Sequence, residues 1–183
     1  MTRFVFSVVL LSGAFTALAQ QGASPVDLAS AIKNAYQQNE GFILASADKW
    51  PNDAWNWKPA GPDKELREFG QLLVHIANEN NQQCSRALGR ATPPTKDDTG
   101  TSYTKADATN IVKDSFKFCD PVFQALTNEN MAEMVKIPGR GNSSTQRARA
   151  TSLILDLAHS NEQYGQIMIY FGLKGMVPVS HAK

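Results

Sequence analysis

The stretch from Ser144 to Leu173 constrains this chain more than any other. Leu153, Ile154, Leu155, Leu157, Ile167, Met168, Ile169, Phe171 and Leu173 lie on almost every side of a helix drawn through it. A helix that is apolar nearly all round is buried over most of its surface. Yet His159, Gln163, Gln166 and Tyr170 recur at offsets of four, three and four. At about 100° per residue they form one narrow polar stripe. Buried polar groups cost free energy unless partnered. The stripe therefore satisfies itself, meets polar groups on a neighbouring element, or lines a cavity.

Three more helical patterns supply the neighbours. The first runs from Pro25 to about Lys49, with Ser24 as N-cap and Leu28, Ile32, Ala35, Tyr36, Phe42 and Ile43 at helical spacing. Trp50-Pro51 ends it. The second runs from about Lys64 to Leu88, with Phe69, Leu72, Leu73 and Ile76 apolar and Gly89 as the stop. The third follows Thr104, with Asp107 as a variant capping box, and reaches about Leu126. Ser144 is the expected N-cap of the fourth, which Gly175 and Pro178 close. Arg90 to Thr104 and Pro138 to Asn142 read as loops, and strand signal is slight. The expected fold class is all-α, a four-helix bundle.

The N-terminus reads as a cleavable leader. Arg3 gives a short positive region, Phe4 to Leu18 an uncharged apolar run, and Ala17-Leu18-Ala19 a small-residue cleavage pattern. The run is short for a membrane span of about 20 residues. The expected organisation is a signal peptide at 1–19 and one helical domain at 20–183, in the periplasm or secreted, with no membrane partner after cleavage. The full chain has 18 basic and 17 acidic residues. This balance argues against nucleic acid as a partner.

The second pattern carries His75 with Glu79 one turn on. If it runs antiparallel to the fourth, heights can be compared. His75 lies 14 residues before Gly89, and His159 lies 15 after Ser144. At a rise of about 1.5 Å per residue the two imidazoles sit almost level. Histidines from facing helices are how bundle cores build metal sites. A histidine on a helix flank is nevertheless more often hydrogen-bonded or solvated than metal-bound.

Several segments together resemble the exported branch of the DinB/YfiT-like family. They are Asn39-Glu40-Gly41-Phe42, the Trp50-Pro51 and Trp57-Lys58-Pro59 region, and Phe69 to Ala77 with His75 inside it. Cys84, Ser115 to Asp120, His159 to Gly165, Tyr170 and Lys174 to Pro178 complete the set. The resemblance implies an up-down-down-up bundle and a three-histidine metal site, two of the histidines one turn apart on the last helix. Carried over, it places ligands at His75 and His159, with the third position on Gln163, where the family commonly has His. An amide oxygen is a weak ligand, since zinc sites favour His, Cys and carboxylate. The site has lost its metal, holds zinc or nickel through His75, His159 and Gln163, or takes Glu79 as an alternative third ligand.

In the implied topology the second and third helices run parallel. Cys84 and Cys119 then lie about 20 and 14 residues into their helices. The offset is about 9 Å along the axis, which modest shifts in helix start absorb. A disulfide between them is the favoured reading. The 15 residues of the intervening loop span about 50 Å extended, enough to return along a helix.

Two function classes follow. One is a metal-dependent transferase or hydrolase. The other is a non-catalytic bundle that binds a small molecule or a partner, a second copy of the chain included, without metal. Asn142-Ser143-Ser144 matches a glycosylation sequon, and Pro138-Gly139-Arg140-Gly141 lacks the signature of a phosphate loop.

Overall fold

A computed structural model describes residues 27–61, 66–139 and 141–182. The leader read at 1–19, the expected cap Ser24 and first helical residue Pro25, and the expected second-helix start at Lys64 lie outside them. Four helices dominate: α1 (Leu28–Lys49), α2 (Phe69–Ala87), α3 (Lys105–Gln124) and α4 (Arg149–Leu173). Asp27 caps α1, its side chain accepting from the Ser30 amide. Thr104 caps α3 by accepting from the Asp107 amide, as the capping pattern leads one to expect.

α2 begins at Phe69 for a physical reason. Glu68 and Gln71 form a reciprocal capping box there. The amides of Phe69 and Gly70 donate to the carbonyls of Trp57 and Trp55, 3.1 Å away in both cases. The tryptophan-rich connection thus satisfies the open N-terminus of α2. It also packs it: Trp50 stacks on Phe69 at 4.1 Å between ring centroids, and Trp55 meets the same ring edge-on. At the other end Gly89, with φ +67°, closes α2 in a Schellman motif. The Arg90 amide reaches the Ser85 carbonyl and the Gly89 amide reaches that of Arg86.

Each of α1 and α2 packs against both α3 and α4. Paired residues give the directions. Asn80 meets Ser115 and Cys84 is bonded to Cys119, so α2 and α3 run parallel. Asn39 meets the Leu157 carbonyl and Phe42 stacks on Tyr164, so α1 and α4 run parallel. Tyr170 meets the Arg67 carbonyl and Arg149 that of Ala87, so α4 runs against α2. A core including Ile43, Trp50, Phe69, Leu72, Leu73, Phe116, Phe123, Leu153 and Phe171 fills the centre.

The all-α expectation needs correction. Met134–Pro138 and Ser144–Ala148 form an antiparallel hairpin, β1 and β2, with Met134 opposite Ala148. Ser144 is therefore a strand residue and not a helix cap, and α4 starts five residues later than expected, at Arg149. The cap of α4, Ala148, makes no side-chain bond. Instead the Arg149 amide donates at 2.9 Å to the carbonyl of Glu133, the residue just before β1, so the start of α4 is tied to the foot of the hairpin.

Candidate metal centre

His75 on α2 and His159 on α4 meet across the bundle. Their Nε2 atoms are 3.0 Å apart. The rings are edge to face with centroids 4.9 Å apart. Both residues are half-buried.

Behind His75 stands a residue the sequence reading did not single out. Asp98 Oδ2 lies 2.7 Å from His75 Nδ1. The connection from α2 to α3 must return along α2 because the two helices are parallel, and α2 straps it down. Asn78 exchanges two hydrogen bonds with the backbone of Lys96, each 2.9 Å. Gln71 donates to the carbonyls of Thr99 and Thr101 at 3.0 and 3.1 Å. Between those straps Asp98 is delivered to His75. Its neighbour Asp97 fixes the tip of the loop, and bonds from the Gly100 amide, the Thr101 hydroxyl and the Thr99 amide pull its carboxyl down to about 2.

The hydrogen-bond inventory sets the tautomers. A carboxylate only accepts, so Nδ1 of His75 carries a proton. In the neutral pair His75 Nε2 is then the acceptor and His159 Nε2 the donor. That leaves Nδ1 of His159 a lone-pair acceptor, and it is buried without a partner. Burial holds His159 below its ordinary pKa, reinforced by His75 and opposed chiefly by Glu79, so its neutral form is favoured. Gln163, one turn further along α4, is 4% exposed, and its Oε1 is likewise buried without a partner.

The donor set fits a divalent metal in two of its positions. Two nitrogens bound to one tetrahedral zinc at about 2.0–2.1 Å stand about 3.3 Å apart. The observed 3.0 Å is within a few tenths of that. A carboxylate on the far nitrogen of a ligating imidazole is the usual outer-shell partner, fixing tautomer and orientation. The third position is an amide oxygen, Gln163, and not an imidazole. Glu79 accepts from Gln82 and Gln83 at 3.2 and 2.5 Å. It belongs to no group of three His, Cys, Asp or Glu ligand atoms within 4.8 Å of one another among the described residues.

One such group exists elsewhere: Cys84, Cys119 and Asp156, all buried. Cys84 and Cys119 form a disulfide with their Cα atoms 5.6 Å apart. Thiolate is the metal-binding form of cysteine, so this trio offers two sulfur ligands only after reduction. Measured from the observed helix starts, Cys84 is 15 residues past Phe69 and Cys119 14 past Lys105, which removes the offset expected from the sequence.

The aromatic residues are structural. Tyr164 stacks on Phe42 and its hydroxyl accepts from the Ser180 amide. Tyr170 is buried and donates to the Arg67 carbonyl at 2.8 Å.

Fold and site together define a helical-bundle protein with a half-buried histidine pair between two of its helices. The chain belongs to the DinB superfamily, whose family model matches residues 35–167. It is similar in fold to a DinB-like protein from Bacillus cereus ATCC 10987, with a TM-score of 0.63 at 13% identity over 81% of this chain and 94% of that one. A conserved protein from Enterococcus faecalis gives a TM-score of 0.51 at 11% identity, over 80% of this chain and 98% of that one. No curated protein matches the chain.

Proposed function

We propose that this chain is an exported metal-binding member of the superfamily, holding Zn²⁺ or Ni²⁺ through Nε2 of His75 and His159. One observation carries the reading: the two nitrogens face each other at 3.0 Å with Asp98 behind His75. Gln163 completes the protein's donors weakly, leaving positions open for water or a small molecule. A divalent ion there supplies Lewis acidity that lowers the pKa of a bound water or thiol, the chemistry of a hydrolase or transferase. The chain's own part is to hold the His159 imidazole neutral by burial, to orient His75 through Asp98, and to wall the site between α2 and α4. The helix directions support an up-down-down-up bundle. The Cys84–Cys119 disulfide supports an oxidising compartment and hence a cleaved leader at 1–19.

A second reading, a metal-free bundle binding a small molecule or partner, draws on Gln163 and on the direct hydrogen bond between the histidines. Calorimetric titration of the mature protein with Zn²⁺ and Ni²⁺ separates the two. Saturable binding of one ion, lost in His75→Ala and in His159→Ala, is expected. No heat of binding in the wild type rules the metal reading out.

A further inference from the structure

Between the segment that leads into α2 and the C-terminal half of α4 lies a cavity of about 320 Å³. Pro59, Leu66, Ile169 and Leu173 give it apolar walls, and Arg67, Gln166 and Tyr170 complete it. Its size is at the lower end for small-molecule pockets, and apolar walls with a few polar groups are what such pockets show.

Arg67 is the cation of this cavity, and its donors are under-used. Nη2 stands 3.7 Å from Asp98 Oδ2, too far for a hydrogen bond. That same oxygen is taken by His75 at 2.7 Å. Nε of Arg67 is buried with no acceptor. A guanidinium presents five N–H donors in a rigid fork suited to bidentate oxyanions. A buried donor without an acceptor is destabilising, so an anion drawn to the fork satisfies a group the free protein leaves open. Tyr170, donating to the Arg67 carbonyl, holds the backbone that carries the fork. The cavity is continuous in chemistry with the histidine site, because Arg67 and His75 share one carboxylate oxygen.

We propose that this cavity binds a small organic carboxylate, its oxyanion on the Arg67 fork and its short apolar body against Leu66, Ile169 and Leu173. The inference deepens the metal reading by naming the substrate class, and rests on it only for the statement that the bound molecule is transformed. Asp98 already pairs with Arg67 at 3.7 Å, so the ligand's carboxylate competes with Asp98 for the guanidinium.

The test uses the metal-free mature protein, with hexanoate and hexanamide followed by amide chemical shifts. Saturable shifts are expected around Arg67 and Ile169 with hexanoate, and at least tenfold weaker binding of hexanamide. Arg67→Gln should weaken hexanoate at least tenfold. Ile169→Glu should weaken it too, by placing a negative charge on the wall. Ile169 is 61% exposed, so that variant leaves the fold intact. Equal affinity for acid and amide, no saturation, or indifference to both substitutions overturns the proposal. Adding Zn²⁺ to the same samples keeps the two readings apart. Hexanoate binding without Zn²⁺ binding retains the pocket and removes the metal site, and the converse removes the pocket alone.

Discussion

His75 Nε2 and His159 Nε2 face each other at 3.0 Å, and the proton between them is the one a metal would replace. In the metal-free pair the chain of bonds runs from Asp98 through His75 to His159 and stops at an unpartnered nitrogen. The arrangement is satisfied at one end and open at the other.

Asp98 should therefore matter without touching the metal. Asp98→Asn replaces an acceptor-only group by one that can also present N–H to His75, loosening ring orientation and tautomer. Outer-shell losses of this kind cost about 10–100-fold in metal affinity. Calorimetric Zn²⁺ titration should show such a loss, and nitrogen NMR of the metal-free variant should show mixed tautomers at His75. Unchanged affinity would place Asp98 outside the site's machinery.

Gln163 occupies the position where a third imidazole is implied. Gln163→His should tighten Zn²⁺ binding by at least about tenfold, since imidazole is the better zinc ligand. Weaker or equal binding would mean that Gln163 stands outside the coordination sphere.

Asp156 predicts a pH dependence. It is 1% exposed, and burial, then the nearby Glu79, pushes its carboxyl up to about 8 from an ordinary 3.8. Between those values the folded protein holds a proton that the unfolded chain has released. The group's contribution is thus complete below about pH 4 and is lost as the pH rises through 8. His159 works the other way: its lowered pKa gives stability present above about pH 6.5 and lost as the pH falls. Asp156→Asn stays neutral throughout. Urea unfolding should find it close to wild type near pH 4.5 and more stable by on the order of 2 kcal/mol at pH 9. An equal effect at both pH values would contradict the assignment.

The disulfide spans 35 residues. Chain-entropy arguments give about 4 kcal/mol for a loop of that size, and observed losses run about 2–5. Replacing both cysteines by alanine should lower unfolding stability in that range while leaving Zn²⁺ stoichiometry unchanged. Loss of metal binding in a folded double variant would tie the ion to Cys84, Cys119 and Asp156 instead.

Much of this was legible in the residues. The polar stripe on α4 gave His159 and Gln163, and matching heights gave His75 as the partner. Those heights place the start of α4 at Ser144 and the end of α2 at Gly89. The observed ends, Arg149 and Ala87, moved in compensating senses, and the remaining difference of about 3 Å was absorbed by tilt and side-chain reach. The hairpin was hidden because Ser144–Ala148 is a polar segment whose strand character comes from pairing with Met134–Pro138, a contact no local pattern encodes. Asp98 was hidden for a related reason. A loop residue's address depends on its straps, here Asn78 and Gln71. Only the parallel order of α2 and α3 signals that residues 90–104 must run back past His75.

An ion held by this site sits between the two imidazoles. Crystals of the mature protein soaked with Zn²⁺ and measured across the zinc absorption edge test it most directly. The account predicts one strong anomalous peak about 2.0–2.1 Å from Nε2 of both His75 and His159. No peak between the two rings, with their mutual hydrogen bond intact, would contradict it.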